Sequence, residues 1–184
     1  MNDLSWFNPR FEPYCKLVGL IAGLSALNEF VIDETIWELA NVEVSVGACL
    51  TAQMIGAGPR CKALMALVHY RDPNCSLLGE LKRHGKQMMR LSAKRNRFVH
   101  DAVFVGTESG ELLKNEITAH QRLVFEQALV KIEDLEILAK ELSELGVKFI
   151  DLKHRLFDEL PPWPNDQYET SPAGFRLKTT KWAD

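Results

Sequence analysis

Apolar positions from residue 17 onward recur at helical spacing. Leu17, Leu20, Ile21, Leu24, Leu27, Val31 and Ile32 follow the three-four rhythm of one buried helix face. Pro13 suits a first helical turn. After a short interruption at Asp33 and Glu34 the pattern resumes at Ile36, Trp37 and Leu39, so a long helix over residues 13–40 is predicted. The segment before it has prolines and no helical period, and reads as an extended arm. "VEVSVGACLTAQMIGAGPR" mixes strand-like valines with helix formers and stays ambiguous, with Gly56, Gly58 and Pro59 marking a break or kink. Helical spacing returns in "CKALMALVHY". "RDPNCS" then offers several N-cap residues, and a third helix is predicted over residues 77–98.

Beyond His100 the period changes. "AVFVG", "TESG" and "ELLKNEI" read as two short strands around a turn. Thr118 followed by Gln121 has the form of a capping box. It predicts a last long helix carrying Leu123, Ala128, Leu129, Ile132, Leu135, Leu138, Ala139, Leu142 and Leu145, which either stops at Gly146 or runs on to about residue 160. "PPWPNDQYETSPAGFRLKTTKWAD" is a proline-rich tail with Trp163, Phe175 and Trp182 as anchors against its own domain or a neighbour. The expected fold is all-α: a bundle of four or more helices with a small hairpin inserted before the last long helix. The expected organisation is an arm over 1–12, the bundle over 13–160 and the tail over 161–184.

Composition narrows the classes. The chain has 184 residues, 46% hydrophobic and 26% charged, with a net charge of −3. That fits one soluble domain, and any surface for a polyanion has to be local. Cys15, Cys49, Cys61 and Cys75 form no CxxC pair and lie in or beside apolar stretches, so reduced core thiols are expected rather than a disulfide or zinc framework. The five histidines show no metal-binding spacing. Phosphate-loop and dinucleotide fingerprints are missing, so neither metal nor cofactor is expected. The N-terminus does not look like a secretory leader, and the apolar run over residues 17–27 is shorter than the roughly 20 residues of a membrane span. A cytoplasmic setting without a membrane is expected.

The chemistry concentrates in "SAKRNRFVHD", residues 92–101. On a helical wheel Arg83, Lys86, Arg90, Lys94 and Arg97 fall within about 80°, a basic stripe with Glu80 as the one carboxylate between residues 77 and 100. Such a stripe is either a solvated face or a surface for RNA or another phosphate polymer. Arg95 falls elsewhere, among Leu77, Leu81, Met88 and Leu91. A guanidinium there needs a partner: a buried ion pair with Glu34, Glu38 or Glu43, or a phosphate held in a pocket or at an interface. If the helix runs on, His100 lies about 140° around the axis from Arg95. If it stops near Val99, the turn can bring the imidazole back beside the guanidinium, where it could handle a proton while arginine holds a phosphate.

The pattern Arg95-Asn96-x-x-x-His100 at the end of a bundle helix resembles the R-x4-6-H motif of HEPN domains, and the order of a helix, a short insertion and a long last helix resembles that family over about residues 15–150. The resemblance implies a metal-independent endoribonuclease of toxin–antitoxin or phage-defence type. It also implies a homodimer in which the motifs of two protomers face each other, with RNA as substrate and, in a toxin setting, an antitoxin protein as partner. Arg95 and His100 would then be catalytic and Asn96 supporting. A ribose 2′-OH would attack the adjacent phosphodiester and leave a cyclic phosphate. One departure stands out: the tyrosine that often lies two places after the histidine in HEPN toxins paired with a nucleotidyltransferase is Ala102 here. Modification by such a partner is therefore not supported. The competing expectation is a non-catalytic dimeric helical protein that binds other proteins or nucleic acid.

Overall fold

The computed structural model describes residues 8–106, 110–119, 123–163, 168–171 and 174–177. After a short 3-10 turn at Pro9–Phe11 come helices α1 (Glu12–Ala40), α2 (Val44–Thr51), α3 (Ala57–Arg71) and α4 (Leu78–His100). Strands β1 (Val103–Val105), β2 (Leu112–Ala119) and β3 (Leu123–Leu129) follow, then helix α5 (Ile132–Glu159) and strands β4 (Tyr168–Ser171) and β5 (Gly174–Leu177). The result is a five-helix bundle with a small antiparallel sheet, in the order β1-β2-β3, inserted before the last long helix.

The core joins α1, α3, α4 and α5. Ile21, Ile32 and Leu39 of α1, Val68 of α3, Met88 and Leu91 of α4, and Leu135, Leu142 and Leu156 of α5 are almost wholly removed from water. At roughly 2 kcal/mol for each buried aliphatic side chain, this layer is the main force holding the helices together. Asn41, in left-handed conformation, closes α1. The ambiguous valine stretch resolves as the helix α2, held to α1 where the Trp37 indole N–H donates to Thr51. Gly56, at φ +78°, makes the break before α3.

Two expectations are corrected here. The insertion has three strands, not two, and the last helix begins at Ile132, so Leu123, Ala128 and Leu129 are strand residues. Thr118 does not cap a helix: it lies in β2, in register with Val124 of β3. The β2–β3 pairing is a contact between separate segments, and it overrides the local capping signal. Glu133 and Asp134 stand in the first turn of α5, where they complement the helix dipole.

Gly146 does not end α5, which takes the longer of the two expected courses. The tail is not without regular structure, since β4 and β5 pair as a hairpin. Trp163 anchors on its own chain: the Arg71 guanidinium lies 5.2 Å above its ring and Tyr70 packs beside it. The side chain of Phe175 and all of Trp182 lie outside the described residues.

The helix from Pro9 to Ala40 contains an 18-residue window of mean hydropathy 1.6, of which 22% is buried, long and apolar enough by composition to cross a membrane. This exceeds the run read from the sequence, which stopped at Asn28 and Glu29, because the helix continues past them into the apolar Phe30, Val31 and Ile32. On one face Asn28 is buried and bonded to Leu142 of α5. Leu20, Leu27 and Phe30 are about half exposed on the other, and Val44, Val46 and Leu50 of α2 are exposed as well.

Candidate functional site

The end of α4 is fixed from two sides. The carbonyl of Phe98 has no partner four residues on inside the helix, and the Tyr14 hydroxyl of α1 donates to it. From β2, the Lys114 ammonium lies 5.3 Å above the Phe98 ring, and the backbone N–H of Asn115 donates to the Ala102 carbonyl. So held, α4 stays helical through His100 rather than stopping near Val99. His100 is exposed. A continuous helix sets it about 140° around the axis from Arg95 and roughly 7.5 Å further along, so no turn carries the imidazole back to the guanidinium. Asn96 is also exposed, between the two.

Arg95 belongs to a half-buried set of four charges joining α1, α3 and α4. Its Nη2 lies 3.5 Å from Glu29 Oε1. The other oxygen of Glu29 is 3.4 Å from Arg60 Nη1, and Arg60 Nε donates to Asp33 at 2.8 Å. Arg60 also donates to the carbonyls of Met54 and Gly56. The acid beside Arg95 is therefore Glu29, and none of Glu34, Glu38 and Glu43. Glu38 reaches Lys153 of α5 instead. Two arginines face two carboxylates, so the set is neutral, as a half-buried cluster has to be.

The arginines are not equivalent. Among the described residues Arg60 is bonded to a carboxylate and two carbonyls, while Arg95 has one long contact and its buried Nε has no acceptor. Glu29 and Asp33 sit four apart on a largely apolar helix, and that spacing was the available signal for this cluster. Arg60 stands just after the Gly-Pro break, where sequence reasoning placed only punctuation.

The basic stripe is real but partly neutralised. Glu141 of α5 takes Arg90 at 2.7 Å and Lys94 at 3.2 Å, and the bond from Arg90 holds its carboxyl below the usual range. Arg97 lies 3.8 Å from Asp101. Lys86 is exposed, and Arg83 lies at the mouth of a cleft between α4 and α5. The free positive charge of α4 thus concentrates toward its first half, away from Arg95 and His100. Among the described residues no three His, Cys, Asp or Glu side chains are grouped so that they could hold a metal ion.

No family model, curated protein or solved structure matches the chain.

Proposed function

We propose that the chain is a HEPN-like, metal-independent endoribonuclease that acts as a homodimer, with Arg95 holding the scissile phosphate, His100 handling the proton and Asn96 orienting them. One observation carries this reading. Among the described residues Arg95 keeps a buried, unbonded Nε and a single 3.5 Å contact inside a cluster that Arg60 already serves. The Nε itself is out of reach, but the side chain is 23% exposed and loosely paired, so its terminal nitrogens suit an incoming phosphate better than a structural ion pair. Within one chain Arg95 and His100 point apart, so a shared phosphate needs the α4 ends of two copies side by side. The exposed apolar face of α1, with Leu20 and Leu27, is a surface on which a second copy can close. The setting that accords with this activity is a toxin or phage-defence system in the cytoplasm, with an antitoxin protein as partner.

The test is cleavage of single-stranded RNA by the purified chain in excess chelator. Expected are products ending in a 2′,3′-cyclic phosphate, and loss of cleavage in His100→Ala and Arg95→Ala proteins that remain folded. Intact RNA after incubation with wild-type protein across salt conditions, or full activity of His100→Ala, would overturn the reading.

A second reading has its own support. The unbroken helix through His100 and the Glu29 contact of Arg95 fit a non-catalytic dimeric helical protein that binds other proteins or nucleic acid. In that case Leu27→Glu abolishes self-association by sedimentation while RNA stays intact with every variant.

A further inference from the structure

Away from the end of α4, the seam between α4 and α5 opens into a cleft of about 330 Å³. One end is closed by Arg155, whose two terminal nitrogens lie 3.0 and 2.7 Å from the Glu80 oxygens and whose Nε donates to Asp151 at 2.9 Å. That guanidinium and most of the oxygens facing it are already engaged. The other two cations of the cleft, Arg83 from α4 and Lys148 from α5, are exposed and, among the described residues, have no carboxylate at ion-pair distance. Three cations therefore face two carboxylates, and the two free ones stand on opposite walls.

The floor has a different character. The His84 ring stacks on buried Phe149, centroids 4.8 Å apart, and Leu152 lies beside it, almost fully buried. Burial pushes the imidazole down to about 4, so at neutral pH it is uncharged. It bonds to no protein group among the described residues, which leaves it one donor and one acceptor for a guest. Gln87, one helical turn on, adds an amide at the rim. The volume is at the lower end of the range typical of small-molecule sites, roughly 300–1,000 Å³.

We propose that this cleft binds a small aromatic phosphate monoester, its dianion held between Arg83 and Lys148 and its ring laid on His84 and Leu152. Two unpaired cations match a dianion, and a flat apolar floor with a neutral imidazole matches a ring. The inference does not rest on the ribonuclease reading: the cleft shares Arg83 with the basic stripe but none of Arg95, Asn96 and His100.

The test is calorimetric titration of the full chain with phenyl phosphate at low ionic strength, where charge contacts are least screened. Saturable binding at one site per chain is expected. Arg83→Ala and Lys148→Ala, both at exposed positions, each weaken it at least tenfold, while Lys62→Ala on α3 leaves it within twofold. Inorganic phosphate binds at least tenfold more weakly than phenyl phosphate, and the ring-proton resonances of His84 move during the titration. Unsaturable binding, equal affinity for the Arg83 and Lys148 variants and wild type, or equal affinity for inorganic phosphate would each overturn the proposal.

Discussion

Replacing Gly146 by alanine should destabilise the protein, although helix propensity alone says the opposite. Gly146 lies inside α5, where exchange of glycine for alanine stabilises an isolated helix by about 0.8–1.0 kcal/mol. Its missing side chain, however, faces α1. A Cβ at this position would overlap the Asn28 Oδ1 and sit 3.4 Å from Asn28 Cγ. Asn28 is buried, and its amide donates to the Leu142 carbonyl at 2.9 Å across the α1–α5 contact. To admit the methyl, Asn28 has to turn away and leave a buried amide unsatisfied, at a cost of about 1–3 kcal/mol. Subtracting the propensity gain leaves a net loss of up to about 2 kcal/mol. The assay is urea unfolding followed by circular dichroism for wild type, Gly146→Ala, Asn28→Ala and the double variant. With Asn28 truncated the overlap disappears, so Gly146→Ala should then stabilise by up to about 1 kcal/mol. A stabilising Gly146→Ala in the wild-type background would refute the reasoning.

The two arginines of the charge cluster should part company. Arg60→Met leaves Asp33 and most of Glu29 without a partner and should cost about 3 kcal/mol in urea unfolding, whereas Arg95→Met should cost less than about 1 kcal/mol because Glu29 keeps Arg60. His84 makes stability depend on pH. Its folded value, about 4, lies below the ordinary 6.5, so the unfolded chain takes up a proton that the folded chain refuses. Stability from this source is present above the ordinary value and falls as pH drops toward 4. The loss is roughly 2 kcal/mol between pH 7 and pH 5, and a His84→Phe variant should show a flatter profile over that window. Cys15 and Cys49 are exposed, not the core thiols expected from the sequence, so native protein treated with iodoacetamide should be modified rapidly there and slowly at buried Cys61, whose thiol is pushed up to about 11 by burial and by Glu29. Mass spectrometry of the peptides reads this directly, and fast labelling of Cys61 would contradict the packing of α3 on α4.

The long helices were legible because their signal is local. The apolar spacing of α1 and α4 repeats over six turns or more, and the structure places their ends within a residue or two of the expected ones. What escaped was set by partners outside the segment itself, neighbouring in one case and distant in others. Residues 123–129 became a strand because β2 was there to pair with, and Thr118, which reads as a helix cap, is a rung of that same ladder. Within the candidate site, the position of Arg95 among apolar neighbours followed from its phase on α4. The identity of its acid did not, because Glu29, Glu34 and Glu38 all lie on α1, and only the way α1 packs on α3 and α4 selects Glu29. Likewise the stripe could be drawn on a wheel, while its neutralisation by Glu141 depended on how α5 lies against α4.

The phase of α4 also decides what kind of experiment separates the readings. Arg95 and His100 are five residues apart on a continuous helix, so their side chains leave the axis about 140° apart. No rotamer change alone makes them converge, because Arg95 is drawn toward Glu29 and His100 faces solvent at the last turn. A site made of both must therefore be completed from outside the chain, and the exposed apolar face of α1 is where such completion can begin. It follows that an active ribonuclease should lose cleavage when the face is broken. Leu20→Glu or Leu27→Glu, both at exposed positions, should leave the fold intact, yield monomers in sedimentation and lower RNA cleavage by at least a hundredfold. Mixing inactive Arg95→Ala with inactive His100→Ala protein should restore part of the cleavage if the two residues act from different copies. A monomeric Leu27→Glu protein that cuts RNA at the wild-type rate would show that the chain needs no partner copy, and the pairing of Arg95 with His100 across an interface would have to be abandoned.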